Sequence, residues 1–258
     1  MIASLPMYLR PETMTATEAL WSLARDALRD HGLQAPDALD HGAPIHATWG
    51  RPDLVLGQIC VLPFRAEFVG RVTLIGAGDY GLPDAGPGQY YSVFVVRAAD
   101  PRAVPGDFAT ARLAVNEAGS QSGWASAFEF AQAHGFRFTR AILTGGHRAS
   151  TLAVAEGRAD IAAVDAVTWA LIERHDAHAR DLRIIGRSAA LPGLSFITAG
   201  GRDPAPYRAA LGAAITALPA AHADALMLRA VVPLPEAAYT ALPQPDPPPI
   251  EADAAKTG

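Results

Sequence analysis

The most constraining feature of the sequence is the alternation of short apolar runs, rich in β-branched residues, with longer amphipathic stretches. Such runs predict buried strands, and the stretches between them predict helices that cover a sheet. The predicted strands are Leu54–Leu56, Val72–Ile75, Ser92–Val96, Leu113–Val115, Ala141–Leu143, Ile161–Val164, Leu182–Ile185 and Ser195–Thr198. The pattern therefore indicates an α/β protein in which mostly parallel sheets are flanked by helices.

Helices are predicted where apolar positions recur at spacings of three and four residues. Thr15 and Glu18 form a capping-box pair before such a face, and His31 and Gly32 end this first helix. Further stretches with the same spacing lie at roughly 121–134, 148–156, 166–175 and 205–217. Helices therefore alternate with strands along most of the chain.

Two segments rich in glycine and proline interrupt this alternation, Gly81 to Gly88 and Ala189 to Gly193. Both are typical of irregular connections, and we interpret them as flanking two crossings between lobes. From Pro233 onward prolines recur, and each one removes a backbone donor and fixes φ, which favours an extended tail. The predicted organisation is lobe 1 from residues 1–91 and 186–232, lobe 2 from residues 92–185, and a proline-rich tail at 233–258.

The overall charge limits the choice of partners. The 258 residues carry a formal net charge of −5 at pH 7, whereas nucleic acid and anionic membrane surfaces attract a basic face. We therefore expect no nucleic-acid partner, and an anionic ligand would need a locally positive site. Cys60 is the single cysteine, so no internal disulfide can form.

The N-terminal residues carry an expectation about location. Met1 to Pro6 show no basic segment followed by an apolar run and a small-residue cleavage site. No later stretch reaches the roughly 18 apolar residues of a membrane span. We expect a cytoplasmic protein without membrane insertion as the sequence stands, and a periplasmic one if a signal peptide has been removed.

The strongest local motif joins the strand Leu113–Val115 to a helix through a loop of small residues. This loop contains Ser120, Gln121, Ser122 and Gly123. The first backbone N–H groups of such a helix have no intrahelical partner, and the serine hydroxyls add donors, so an oxyanion fits there. The alternative is that Ser120 or Ser122 is only the N-cap of a structural helix.

A second motif has the same order of strand, glycine turn and helix start, and it contains Gly146 and His147. Two helix N-termini could then converge on one ligand. The His147 ring could donate a hydrogen bond to an anion, and a neighbouring anion makes its charged form accessible. The alternative for His147 is a capping or surface histidine, and we interpret Arg148 as a surface charge.

Asp165 ends another predicted buried strand. Ligands of α/β sheets bind beyond the carboxyl ends of parallel strands. The carboxylate could accept a hydrogen bond from the ligand or hold a cationic group on it. Equally, it could cap the helix that begins at Ala166, and the sequence leaves both roles open.

Several other motifs do not support chemistry in their context. The run from Gly76 to Gly81 matches a dinucleotide fingerprint, but the proline-containing segment after it cannot open the required helix. The segment Gly119–Gly123 is similar in outline to a nucleophile elbow, but Gln121 occupies the position of the nucleophile, so the segment lacks one. His175 and His178 have no third ligand nearby in the sequence. We therefore expect no cofactor and no metal site.

Together the motifs resemble the phosphate, phosphite and phosphonate solute-binding proteins of ABC transporters. The resemblance extends over most of residues 1–200. The segments that carry it are Ser120 to Gly123, Gly146-His147 with Ser150, Gly157 to Asp165, and Thr168-Trp169. Two further stretches are similar to the family: Asp53 to Cys60, to its run ending Gln-Thr-Cys-Gly-Tyr, and Gln89 to Ser92, to its Tyr-x-Ser crossing strand.

The resemblance implies the two-lobed type II periplasmic-binding fold and a small anionic ligand clamped between the lobes. The residues implied for the oxyanion are Ser120, Ser122 and His147, and those implied for the rest of the ligand are Tyr8, Tyr91 and Asp165. Gln121, Gly123 and Gly146 complete the expected ligand-binding set as members of the two loops. The sequence departs from the family at Ile59, Val61 and Leu62, and this more apolar wall suggests a ligand larger than inorganic phosphate.

Two classes of function are compatible with the sequence. The first is non-catalytic binding of a phosphate, phosphonate or phosphate ester, with lobe closure read by an ABC permease or another partner. The second is a cytosolic enzyme on the same fold, of the menaquinone-pathway or thiamine-precursor type, with His147 or Asp165 as acid or base. Binding is favoured, because the motifs include no nucleophile, metal set or cofactor fingerprint.

Overall fold

The computed structural model describes residues 1–251, and the chain divides into two compact units. The first unit contains Met1–Tyr90 and Ala190–Leu242, and the second contains Tyr91–Ala189 together with residues 243–251. The strands are β1 (Ile2–Ser4), β2 (Leu54–Ile59), β3 (Val72–Asp79), β4 (Gln89–Tyr90), β5 (Ser92–Arg97), β6 (Arg112–Val115), β7 (Arg140–Leu143), β8 (Ile161–Asp165), β9 (Leu182–Arg187), β10 (Leu191–Pro192), β11 (Ser195–Ala199) and β12 (Ala230–Val232).

The α-helices are α1 (Pro11–Asp30), α2 (Ile45–Trp49), α3 (Val61–Pro63), α4 (Ser126–Ala133), α5 (His147–Ala155), α6 (Ala166–His175), α7 (Ala205–Ala217), α8 (Ala220–Leu226) and α9 (Ala237–Thr240). Every predicted strand is present, and all eight are longer than predicted. The strands that were not predicted, β1, β4, β10 and β12, are too short to show a periodic pattern.

The first unit is built on a five-stranded sheet with the order β1-β2-β11-β3-β12. In this sheet β1 and β2 run parallel, whereas the other neighbouring pairs are antiparallel. The strands β4 and β10 form a separate antiparallel ribbon. The rejected dinucleotide fingerprint lies within β3 and its end, where no helix follows.

The second unit is built on a five-stranded sheet with the order β7-β6-β8-β5-β9. Here β7, β6 and β8 are parallel, and β5 is antiparallel to both β8 and β9. The α/β class is confirmed. Four of the five strands of this sheet run in one direction and β5 opposes them, so the expectation of a mostly parallel sheet holds for the second unit, whereas it is wrong for the first. The chain enters this unit along β5 and leaves it along β9. Because it enters and leaves at the same edge of the sheet, these two neighbouring strands run in opposite directions.

The first helix begins earlier than predicted, at Pro11. Proline suits the first helical position because its φ is already helical and its missing N–H would have no intrahelical partner there. Thr13 Oγ1 accepts the Arg10 N–H at 3.1 Å. The predicted capping box of Thr15 and Glu18 is therefore wrong, since both residues lie inside the helix.

The predicted helix at 121–134 is present as a π-helical turn, Gln121–Ala125, that continues into α4. One face of it packs on the sheet, where Phe130 stacks on Phe94 with ring centroids 3.7 Å apart. Trp124 belongs to the same buried cluster. This core holds the start of the helix at the end of β6.

The C-terminal segment is more structured than the expected tail at 233–258. Tyr239 of α9 is buried, and its hydroxyl lies 2.6 Å from Ser195 Oγ. Farther on, Ile250 forms a parallel bridge with Ala141, so the chain covers the outer edge of β7. The part of the expected tail beyond Glu251 lies outside the described residues.

Two findings concern metals and membranes. Among residues 1–251, no three His, Cys, Asp or Glu side chains are grouped so that they could hold a metal ion. No single helix in this range is long and apolar enough to cross a membrane, although α7 and α8, bent by 118° at their junction, meet the criterion of length and composition as a pair.

Candidate oxyanion-binding site

The candidate site lies at one edge of the sheet in the second unit, where the parallel strands β6, β7 and β8 end. Ala114 pairs with both Ile142 and Ala162, so these three strands finish together. Ser92 pairs with Asp165, so β5 begins at the same edge. The loops beyond the carboxyl ends of parallel strands are the usual position of ligand sites in α/β sheets.

Ser120 is the N-cap of the helix that begins at Gln121. Its backbone is extended, and its Oγ accepts the Gly123 N–H at 3.0 Å. The structure thus shows Ser120 in the alternative role given above, as the N-cap of a helix. Gln121 is fully buried. The first turn of this helix presents backbone N–H groups that lack intrahelical partners, so it retains its capacity to bind an anion.

Ser122 and His147 are brought together across the site. Ser122 Oγ lies 2.8 Å from Nε2 of His147, which is the first residue of α5. Ser92 Oγ donates to the carbonyl oxygen of Ser122 at 2.9 Å and ties the same turn to β5. The starts of the two predicted helices are therefore joined by this hydrogen bond.

His147 is neutral at physiological pH. Burial disfavours the imidazolium and lowers the pKa of His147 to about 4. A hydrogen bond with the backbone of Ala163 acts in the opposite direction and raises this pKa, but by less. A neutral imidazole either donates to the Ser122 hydroxyl or accepts from it, according to the tautomer. When Nε2 carries the proton, the ring donates to Ser122 Oγ and the hydroxyl hydrogen can point toward an anion.

Glycine is required at position 123 because the side chain of Asn116 approaches it closely. The side-chain oxygen of Asn116 lies so near Gly123 that an added Cβ would overlap with it. Asn116 directly follows β6, so this contact holds the loop against the helix start. Sequence analysis selected Gly123 but missed Asn116. Only the position of Asn116 immediately after the strand could have indicated its role.

Gly146 precedes α5 with extended backbone, which any residue can adopt, and the space beside it is open. The turn before it is held by Thr144. Its N–H donates to the carbonyl oxygen of Val115 at 2.9 Å, and its Oγ1 lies 2.7 Å from Ser150 Oγ. These bonds connect the end of β7 to the end of β6 and thereby orient the start of α5.

Asp165 caps α6. Its Oδ1 accepts the N–H groups of Val167 at 2.7 Å and Thr168 at 3.0 Å, and the residue is buried. Of the two roles that the sequence left open, the structure shows capping. A contact between Asp165 and the ligand stays a prediction.

Tyr91 lies just before β5, and its side chain is buried. The guanidinium carbon of Arg187, at the end of β9, lies 5.4 Å from the centroid of the Tyr91 ring. Sequence analysis missed Arg187, because nothing local to it reveals its pairing with Val93. Arg148 is exposed, as interpreted, and forms an ion pair with Asp176 at 2.6 Å.

Tyr8 belongs to the first unit. Its ring packs edge-on against Tyr80 with centroids 5.1 Å apart, and Gln58 Nε2 lies 3.4 Å from the Tyr80 hydroxyl. Together they line a cavity whose lining residues are all uncharged; the others are Leu5, Thr17, Leu20, Phe196, Leu226 and Leu228. Ile59, Val61 and Leu62, which were expected to form an apolar ligand wall, are buried and do not line this cavity.

Several solved structures have the same fold as this chain. PhnD1 from Prochlorococcus marinus, in complex with methylphosphonate, matches 93% of this chain and 94% of its own at a TM-score of 0.64 and 14% identity. PA3383 from Pseudomonas aeruginosa, a binding-protein component of an ABC phosphonate transporter, matches 88% of this chain and 77% of its own, with a TM-score of 0.60 and 16% identity. XAC2383 from Xanthomonas citri, bound to ATP, matches 92% of each chain with a TM-score of 0.63 and 16% identity. The chain therefore has the α/β fold of the two-lobed periplasmic binding proteins.

The family follows from the sequence. A family model described as ABC transporter, phosphonate, periplasmic substrate-binding protein matches residues 70–234. This range is more than half of the chain, and the chain belongs to that family of solute-binding proteins. Among curated proteins no sequence match is found.

Proposed function

We propose that the protein binds a small ligand that carries an oxyanion, namely a phosphonate, a phosphate or a phosphate ester. The observation that supports this most is the 2.8 Å contact between Ser122 Oγ and His147 Nε2, because it joins two helix starts at the carboxyl edge of a parallel sheet. Helix N-termini offer backbone N–H donors and the positive end of the helix dipole to an anion. Membership of a phosphonate-binding family supports the same ligand chemistry.

The proposed contacts follow from the hydrogen bonds of the site. The oxyanion accepts from backbone N–H groups in the turn that begins at Gln121 and, in the tautomer of His147 that carries its proton on Nε2, from the Ser122 hydroxyl, to which the ring then donates. Ser120 Oγ accepts from Gly123, and its own hydroxyl hydrogen can still be donated. Binding in this form needs no positive charge on His147.

We also propose that the two units close on the ligand. In this proposal Tyr8 of the first unit and Tyr91 and Asp165 of the second contact the part of the ligand beyond its oxyanion. Closure around a ligand is a common rearrangement of two-domain binding proteins. Membership of a periplasmic ABC-transporter family supports a periplasmic location and an ABC permease as the partner that reads the closed form.

Three measurements test the proposal. Calorimetric titration with methylphosphonate and with inorganic phosphate is expected to show one site per chain, and native mass spectrometry of the purified protein is expected to reveal an anionic ligand that copurifies. The proposal is wrong if neither anion binds. Small-angle scattering is expected to show compaction at saturating methylphosphonate, and an unchanged profile would contradict closure.

A second candidate function is an enzyme on the same fold, favoured by the same contact. A serine hydroxyl bonded to a neutral imidazole is the arrangement of a nucleophile and its general base. Release of nitrophenolate from p-nitrophenyl phosphate or p-nitrophenyl acetate tests this candidate. Turnover that is lost in Ser122→Ala would establish it, whereas reversible anion binding without turnover supports solute binding.

A further inference from the structure

We infer that the second unit carries a further ligand site, between α4 and the C-terminal segment 243–251, which takes a small uncharged molecule with a single aromatic ring. The site is a cavity of about 140 Å³. Its walls include Trp124, Phe128, Ala131, Phe138, Pro247 and Pro249. Among residues 1–251 its lining does not include Ser122 or His147, so binding there does not require an anion at the oxyanion site.

The C-terminal segment forms one wall and is held in place by two hydrogen bonds. Trp124 donates its indole N–H to the carbonyl oxygen of Asp246 at 2.7 Å, and Ala141 donates its N–H to the carbonyl oxygen of Pro249 at 2.9 Å. Between these anchors the chain carries Pro247 and Pro248, whose rings fix φ and make the segment stiff. The segment therefore spans the cavity as a fixed wall.

The opposite wall is aromatic. Trp124 and Phe138 are buried, and Phe128 is partly buried. The rings of Trp124 and Phe128 lie 5.9 Å apart with an interplanar angle of 59°. This is the separation of a favourable aromatic pair, in which the edge of one ring approaches another ring. A third ring in the cavity would make contacts of the same kind and would also lose its apolar surface to water.

The polar groups around the cavity disfavour a charged ligand. The Trp124 indole N–H is already bonded to Asp246. Arg137 and Asp246 lie 3.9 Å apart, and their side chains are 74% and 72% exposed, so they form a hydrated pair at the rim. Each charge at the rim already has water and an opposite charge. A charged ligand would lose its hydration between the aromatic walls without a comparable gain.

The volume of the cavity sets the size of the ligand. An apolar cavity of about 150 Å³ is known to bind benzene, whereas sites for drug-sized molecules occupy about 300–1,000 Å³. The cavity beside Trp124, at about 140 Å³, therefore has room for one six-membered ring but not for two fused rings.

The test compares three fluorinated probes by ¹⁹F NMR titration of the full chain. Fluorobenzene is expected to bind at one saturable site. The charged 4-fluorobenzoate and the two-ring 1-fluoronaphthalene are expected to bind at least about tenfold more weakly. The indole N–H resonance of Trp124, identified by its loss in Trp124→Phe, should shift on addition of fluorobenzene. The indole resonances of Trp21 and Trp49, which belong to the first unit, should not shift.

Two variants change the volume of the cavity. Ala131 lines it and is only 2% exposed, so the larger side chain of Ala131→Leu is expected to fill it and to weaken fluorobenzene binding at least about tenfold. Ala133→Leu is the matched control, because Ala133 is exposed on the same helix. It is expected to keep the wild-type affinity within about twofold.

Phe128→Ala enlarges the cavity and is expected to admit 1-fluoronaphthalene. This variant keeps the test decisive if Ala131→Leu does not fold, because the Phe128 side chain is only partly buried. Circular dichroism and thermal unfolding show whether each variant is folded.

Several outcomes would overturn the inference. They are equal affinities for the three probes, fluorobenzene binding that leaves the Trp124 resonance unchanged, and wild-type fluorobenzene affinity in a folded Ala131→Leu protein. Failure of Phe128→Ala to bind 1-fluoronaphthalene would also count against it. A protein that binds fluorobenzene at this site but neither methylphosphonate nor phosphate would overturn the proposed function alone.

Discussion

Ser122 Oγ and His147 Nε2 lie 2.8 Å apart, although 25 residues separate them in the sequence. Ser122 is in the first turn of the helix after β6, and His147 opens the helix after β7. The parallel pairing of β6 with β7 brings the two helix starts side by side. This relationship makes the serine hydroxyl and the imidazole act as one unit, and the first predictions concern that unit.

Ser122→Ala is expected to weaken binding of methylphosphonate about ten- to hundredfold, because it removes a hydroxyl donor to a charged oxygen. Ser126→Ala is the control. Ser126 lies on the same continuous helix and is fully buried, and its Oγ has no hydrogen-bond partner among residues 1–251. Calorimetric titration should give near wild-type affinity for Ser126→Ala. Equal affinities for the two variants would remove Ser122 from the site.

His147→Ala is expected to weaken the same binding by about one to two orders of magnitude, since Ser122 loses the group that orients its hydroxyl. His147→Gln retains an N–H donor and is expected to lose less. Because the pKa of His147 is about 4, the ratio of mutant to wild-type affinity should stay constant between about pH 5.5 and pH 8. A ratio that changes through this range would show that a charged imidazolium binds the ligand.

The lowered pKa of His147 also predicts how stability depends on pH. The unfolded chain binds a proton at this histidine near pH 6.5, whereas the folded chain binds it only near pH 4. The folded state should therefore lose stability as pH falls from about 6.5 to about 4, by up to about 3 kcal/mol from this residue. Urea unfolding at several pH values measures the loss. In His147→Gln that part of the pH dependence should be absent.

Gly123→Ala is expected to lower both stability and affinity, because the added Cβ would overlap with the side-chain oxygen of Asn116. Overpacking of this kind typically destabilises a protein by about 1–3 kcal/mol. Gly119→Ala is the control in the same loop, since an added Cβ there meets no atom within 4 Å. Thermal unfolding and titration of both variants check this prediction, and a Gly123→Ala protein that matches the wild type in both would contradict it.

The C-terminal segment is expected to stabilise the unit that carries the site. Trp124 donates its indole N–H to the carbonyl oxygen of Asp246 at 2.7 Å. Ala141 donates its N–H to the carbonyl oxygen of Pro249 at 2.9 Å and thus has a backbone partner at the outer edge of β7. Each such bond contributes about 0.5–1.5 kcal/mol net, so the two bonds together are worth about 1–3 kcal/mol.

Truncation after Leu242 tests that contribution, and truncation after Glu251 is its control. The shorter protein should show a lower midpoint of urea unfolding than the control, because the control retains the contacts of Asp246 and Pro249. Equal midpoints for the two truncated proteins would contradict a stabilising role of the segment.

Local patterns in the sequence predicted much of the fold and part of the site. Strand and helix positions follow from the spacing of apolar residues, which reflects contacts along one element. The loops at Ser122 and His147 were recognisable because small residues between a strand and a helix leave the first N–H groups accessible. The start of α1 was misjudged although it is local, because Pro11 at the first helical position is the stronger signal and Thr15 lies one turn inside.

Pairing between distant segments was decided only in the tertiary structure. Three contacts depend on which strands become neighbours and in what register. They are the 2.8 Å bond of Ser122 with His147, the strand pairing of Arg187 with Val93, and the bridge of Ile250 with Ala141. Register is set by long-range packing and chain topology, which leave no periodic trace near the residues concerned. The sequence by itself therefore determined the elements and the donor-rich loops, and the tertiary structure decided which side chains meet around an anion.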